Sequence, residues 1–314
     1  MGNFKINVSD APIFILTGFP GMEAMEPWLS FPLLLLYAIA IVGNVLILLI
    51  VKEPSLHQPM YYFLSLLSVN DLGVSFSTLP TVLATLCLRA WVIAFNVCLA
   101  QMFFIHLFSW TESGVLLAMS FDHYVAICNP LHYATVLTNA RIVAMGLCTV
   151  LRSFALILVF PLLLHRLTFC HPRNILSHAY CLHVDMIKLA CTDVSLNSHY
   201  GLSIVLFTFG LDSTLILLSY VLIFRSVLAI ASPGESLKTL NTCVSHVPAV
   251  LIFYVPMVSV SMVHRFGAGL PHAVHTLMSL IYLFVPPMLN PIIYPIKTKE
   301  IQHRLLKMLF RVRS

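Results

Sequence analysis

A chain of 314 residues that is 59% hydrophobic and only 9% charged lacks the composition of a soluble domain, in which about a quarter of residues carry charge. Seven membrane crossings of roughly 20 apolar residues each would use around half of this length, leaving short loops and tails and excluding a separate soluble catalytic domain. The net charge of +5 does not point to nucleic acid, because the basic residues gather at predicted helix ends instead of alternating with aromatics on a polar face.

In chain order, residues 1–27 lack the basic start and apolar stretch of a cleaved leader. They carry Asn7-Val8-Ser9, a glycosylation acceptor at Asn7 that is useful only on a secretory face. Apolar runs follow at about Trp28 to Val51, Gln58 to Cys87, Asn96 to Cys128, Arg141 to Leu164, Asn197 to Ile230, Leu237 to Val263 and His272 to Tyr294. The second, third and fifth are the longest, which implies tilt or protrusion rather than extra spans. Pro80, Pro161, Pro256 and Pro291 lie inside runs and predict bent helices, since each frees a backbone carbonyl that a bundle can satisfy elsewhere. After the last run, Lys297, Lys299, Glu300, Arg304, Lys307, Arg311 and Arg313 interleave with Ile301, Leu305, Leu306, Met308, Leu309 and Phe310, the pattern of an amphipathic helix on an anionic leaflet. The expected fold is an all-α membrane protein, a seven-transmembrane helix bundle with a short amphipathic cytoplasmic helix after span seven. It forms a single domain, with 1–27 extracellular, 28–294 the bundle and 295–314 the cytoplasmic tail. The N-terminus is placed outside and the C-terminus inside by the positive-inside tendency, since Lys52, Arg141, Arg225 and Lys238 then share the tail's side.

Cys98 opens the third span on the outer side, and Cys170, Cys181 and Cys191 lie in the loop between spans four and five. All four share an oxidising compartment, and their spacing leaves three pairings open.

Several motifs occur in one order. Gly43-Asn44 sits in the first span, Leu56-His57-Gln58-Pro59-Met60-Tyr61-Tyr62-Phe63-Leu64 begins the second, and Met119 to Leu131, with Asp122-His123-Tyr124 inside it, ends the third. Ser219-Tyr220 lies in span five, Thr242-Cys243-Val244-Ser245-His246 opens the sixth, and Asn290-Pro291-Ile292-Ile293-Tyr294 closes the seventh. Together they resemble vertebrate olfactory receptors, within the rhodopsin-like G-protein-coupled receptors, over nearly the whole chain. Cys181-Leu182-His183, Lys188-Leu189-Ala190-Cys191 and Val263-His264-Arg265-Phe266-Gly267 resemble the fish-like class I subgroup, whose ligands tend to be hydrophilic odorants such as carboxylic acids. The resemblance implies bridges Cys98 to Cys181 and Cys170 to Cys191. It also implies an odorant in the outer half of the bundle and a stimulatory olfactory-type heterotrimeric G protein at the inner half, raising cyclic AMP. Asp122, His123, Tyr124, Tyr220, Asn290, Pro291 and Tyr294 would serve activation and coupling. Odorant, G protein and membrane lipid are the expected partners, and no nucleic acid is.

Asp71 and Glu112 fall within spans, where an unpaired charge costs several kcal/mol. In related receptors the Asp71 position belongs to a sodium and water site that the Glu112 position faces, so the two are expected to share a sodium ion, with no other cofactor. The alternative is a protonated carboxyl bonded to Asn44, Ser68 or Asn290. Asp212 is also mid-span, with no partner evident in the sequence. Near the outer end of span six, Arg265 lies one turn beyond Ser261, a pair suited to holding a carboxylate by charge-assisted bonds. His106 and His183 are expected to face the same cavity, with Phe207, Tyr254 and aliphatic residues around the ligand's tail. The plainer reading of Arg265 is a snorkelling side chain at the membrane edge. Val184 stands where the subgroup often carries Gln, which points toward a less polar ligand.

The main departure from the family pattern is His123, where Arg usually follows Asp122. A shorter, mostly neutral side chain weakens both the pairing with Asp122 and the contact with a G protein. Pro295, where Ser is usual, is expected to sharpen the turn into the tail helix. Zinc at His171, His178 and His183 is disfavoured because the bridges leave no thiolate in that loop. A transporter would show matching halves or a line of ionisable groups, and an intramembrane enzyme a GxSxG or HExxH motif; none is present in the sequence.

Overall fold

The computed structural model describes residues 12–17, 26–56, 58–88, 91–169, 174–176, 178–229, 246–267, 269–297 and 299–311. Among the described residues, seven helices are long and apolar enough to cross a membrane: Ser30–Val51, Pro59–Leu86, Phe95–Cys128, Asn139–Leu164, Ser195–Leu228, His246–Val263 and Val274–Tyr294, spans one to seven. Their ends fall within two residues of the sequence-derived ones, except that Ile230 and Leu237 lie outside the described residues. Helices are the natural solution here, because each satisfies its backbone hydrogen bonds internally where no water can. Outward-facing Phe31, Leu217, Phe224, Leu251 and Val255 are exposed, a surface suited to lipid. Span three is the axis of the bundle, 72% of its apolar window being buried against 28% for span four.

Two spans are irregular. Span four divides into Asn139–Ile157 and Val159–Leu164, because Pro161 has no N–H to offer the carbonyl of Ile157. Span five contains a π-helical turn at Val205–Phe209 between Ser195–Ile204 and Gly210–Leu228, which adds a residue to the turn and changes which side chains face inward. Spans one and seven meet closely at Gly43. A Cβ there would stand 2.7 Å from that of Pro291, so glycine permits the approach. Beside it, Asn44 Nδ2 donates to the carbonyls of Ala40 and Pro287 at 2.9 and 3.0 Å.

The outer end is capped by a three-stranded sheet whose first strand in sequence lies in the middle. β1 (Ile13–Leu16) pairs antiparallel with β2 (Val92–Ala94), Phe14 opposite Ile93, and parallel with β3 (Asn174–Leu176), Ile15 opposite Ile175. This sheet is an addition to the all-helical expectation. A four-residue apolar run such as Ile13–Leu16 reads equally as strand or helix until its pairing partners are known. At the inner end, the helix Lys299–Arg311 follows span seven. Its Arg304 reaches Glu300 and Glu53, each at 3.3 Å, and so ties it to the chain just beyond span one. Pro295 does not end the preceding helix, which runs on to Lys297.

Candidate functional site

Below the sheet, Cys98 at the top of span three is bridged to Cys181, Cα to Cα 5.5 Å. This bridge and two hydrogen bonds hold the loop over the bundle. Gln101 Oε1 accepts from the Cys181 backbone N–H at 2.9 Å, and the Tyr180 hydroxyl donates to the Ser279 carbonyl at 2.8 Å. Cys191 is disulfide-bonded, while Cys170, its implied partner, lies outside the described residues, as do Asn7 and His171. His178 Nε2 lies 3.2 Å from Asp185 Oδ2.

The loop so placed bounds a cavity of about 40 Å³ lined by His106, His183, Ser261 and Arg265, with Trp110, Phe160, Met257, Val260 and Tyr282 among its apolar and aromatic walls. Arg265 Nη1 donates to the Ser198 carbonyl and hydroxyl oxygens, each at 3.2 Å. Its Nη2 lies over span five, 3.0 Å from where a Cβ on Gly201 would stand, with His183 Nδ1 3.5 Å from the same point. Arg265 Nε and His183 Nε2 are buried with no hydrogen-bond partner among the described residues. Burial, reinforced by His106 and the Arg265 charge, holds the His183 pKa well below its ordinary value of 6.5. The ring is therefore neutral, with one nitrogen to donate and one to accept. His106 Nδ1 faces the Met102 carbonyl at 2.7 Å, and its ring stacks on Trp110.

Two residues expected around the ligand are elsewhere. Phe207 is 71% exposed on the outside of the bundle, because it falls within the π-helical turn, where regular α-helical counting fails. Tyr254 is buried below the cavity, its hydroxyl 2.8 Å from Ser113 Oγ. It belongs to a polar core centred on Asp212, whose carboxylate accepts both guanidinium N–H groups of Arg152, at 2.8 and 2.7 Å, and the Ser113 hydroxyl at 2.7 Å. The bidentate pair supplies the partner that the sequence did not reveal. Asp212 is fully buried and the Arg152 side chain 34% exposed, so the ion pair joins spans four and five while Ser113 and Tyr254 extend it to three and six.

One level further in, Asn290 Nδ2 lies 3.1 and 3.3 Å from the Asp71 carboxylate oxygens and 3.3 Å from Glu112 Oε1. Asn44 Oδ1 and Ser68 Oγ are buried without partners among the described residues. At the inner end, Asp122 accepts from the Tyr133 hydroxyl at 2.7 Å. His123 is buried, directs Nδ1 to the Met119 carbonyl at 2.6 Å and stacks on His246, ring centroids 5.3 Å apart. His246 Nδ1 is 2.5 Å from the Tyr220 hydroxyl. Tyr294 OH donates to Met119 Sδ at 3.8 Å, and Tyr124 packs on Ile223 and Val227 of span five.

A family model described as "Olfactory receptor" matches residues 33–312. The chain belongs to the olfactory receptor family. It is 58% identical over its full length to the full length of human olfactory receptor 51I2, and 58% identical to human olfactory receptor 51I1 over 93% of each chain. Human olfactory receptor 51L1 is 57% identical over 96% of each chain. With these relatives it falls in the fish-like class I subgroup, and it is an odorant-sensing G-protein-coupled receptor, a multi-pass membrane protein and not an enzyme. In this olfactory receptor the cavity-lining Trp110 and Tyr282 were missed by sequence reading. Trp110 lies one helical turn from His106, a spacing that could have flagged it, whereas nothing in the sequence marks Tyr282 apart from other aromatics of span seven.

Proposed function

We propose that this olfactory receptor binds odorants with a carboxylate head group in the outer cavity and answers by activating a stimulatory olfactory-type G protein, raising cyclic AMP. The observation that carries this reading is the pairing, in one largely apolar and aromatic pocket, of an unpartnered guanidinium N–H on Arg265 with an unpartnered nitrogen on neutral His183. A carboxylate accepts from both, and Ser261 adds a hydroxyl donor. At about 40 Å³ the cavity is far below the roughly 300 Å³ of ordinary small-molecule pockets, so binding moves its walls apart. A second cavity of about 350 Å³ nearer the outer rim shares Val184 and Arg265 with the first and offers the acid a route in. The disulfide at this end supports an extracellular outer face, which leaves the basic tail in the cytoplasm.

A sodium ion between Asp71 and Glu112 fits the donor set. Two carboxylates meet at Asn290, and the unpartnered oxygens of Asn44 and Ser68 belong to the same layer, the hard oxygen ligands such a cation takes. At the inner end, His123 presents no exposed charge and Asp122 is engaged by Tyr133. Coupling is therefore weaker than an arginine there would give.

Three outcomes follow, each read in cells with surface expression matched. In a cyclic AMP assay, Arg265→Ala raises the half-maximal concentration for short fatty acids roughly ten- to a hundredfold, the effect of losing a hydrogen bond to a charged group, and leaves alcohols of equal chain length little changed; equal potency toward acids would contradict the anchor. Sodium raises the thermal stability of the purified receptor and Asp71→Asn abolishes that response, whereas a variant that still responds fully excludes the ion site. His123→Arg increases the maximal cyclic AMP response, and an unchanged maximum shows that the position does not limit coupling.

A further inference from the structure

A further cavity lies away from the odorant pocket, on the inner half of the bundle between spans five and six. It measures about 820 Å³ and is lined by Ile216, Leu217, Val221, Phe224, Val250 and Leu251 among others, with Ser213 at one end and Arg225 at the other. Its walls are open to the surroundings, Leu217, Phe224 and Leu251 all being exposed. The Ser213 hydroxyl is turned back onto the Gly210 carbonyl at 3.2 Å and adds little polarity to the groove.

From Ser213 to Arg225 the groove follows about 18 Å of helix at 1.5 Å per residue, close to the roughly 15 Å that one leaflet contributes to the hydrocarbon core. Arg225 lies in the last turn of its helix, where its backbone carbonyl accepts from the Ala229 N–H, and its side chain is exposed. An apolar trough one leaflet deep, with an exposed guanidinium at its rim, has the charge and shape of a phospholipid site. An acyl chain fills the trough, and the phosphate meets a planar donor suited to bidentate contact. We propose that this groove binds one anionic phospholipid, its chain between spans five and six and its head group on Arg225. Tyr220 lines the same groove and bonds His246, so an occupying lipid rests against the contact that joins spans five and six at their inner ends.

The site stands independently of the odorant reading and is tested without an odorant. The full-length receptor is reconstituted in nanodiscs containing phosphatidylserine, phosphatidylcholine and cholesterol, released in the mass spectrometer, and its retained lipids counted. The wild type is expected to hold one phosphatidylserine in preference to phosphatidylcholine. Arg225→Gln lowers that preference roughly fivefold, the factor for removing one cation from contact with anionic lipid, and Arg225→Lys restores it in large part. Val250→Trp, which fills the trough, removes the tightly held lipid while thermal stability stays near wild type; Leu217→Phe serves if the tryptophan variant does not fold. Retention of phosphatidylserine unchanged by Arg225→Gln and by the filling variant overturns the proposal, as does cholesterol in place of phospholipid.

Discussion

A polar group inside a bilayer must find its partner in the protein, and the arrangement of this receptor follows from how that demand is met. Asp212 sits at mid-span with no exposed surface, and Arg152 answers it with two hydrogen bonds from the neighbouring helix. The remaining acceptor capacity takes the Ser113 hydroxyl, which in turn meets Tyr254. Four spans are thereby held at one height by groups that none of them can bury alone. The desolvation of such a pair offsets much of its attraction, so its value lies chiefly in specifying one arrangement and in the high cost of breaking it.

The functional surfaces stand on either side of this tie. Above it, Met257 and Val260 of span six lie one or two turns beyond Tyr254 and line the outer cavity with Arg265 and His183. Below it, Asn290 gathers Asp71 and Glu112, and His246, at the inner end of the same span six, stacks on His123. Span six thus touches the cavity, the polar core and the inner surface in turn. A ligand that widens the small outer cavity acts on the same helix that meets His123.

Most of this fold was legible in the sequence, because a bilayer imposes one pattern on every span and the apolar runs record it. The motifs named Asn290 among the possible partners of Asp71, while the close approach of Gly43 to Pro291 emerged only in the structure. What escaped had local causes. Phe207 was expected around the ligand's tail, but it falls in a π-helical turn and faces outward. Tyr254 was assigned to the ligand because a hydroxyl does not reveal in advance whether it serves a pocket or a neighbour. Asp212 lacked a partner because Arg152, one polar residue in an apolar run, gave no sign of which helix it faced. The outer sheet was invisible for a related reason: its short strands acquire meaning only through pairings distant in sequence.

The most direct test of this account is the thermal unfolding of purified receptor carrying Arg152→Met, Asp212→Leu, or both. The single Arg152→Met variant leaves a buried carboxylate unpaired and is predicted to lose roughly 3 kcal/mol, toward the low end for a buried pair because Arg152 is one-third exposed. The double variant, with both charges gone, recovers most of that loss. An Arg152→Met receptor as stable as wild type, or a double variant no better than the singles, would contradict the claim that this ion pair orders the bundle.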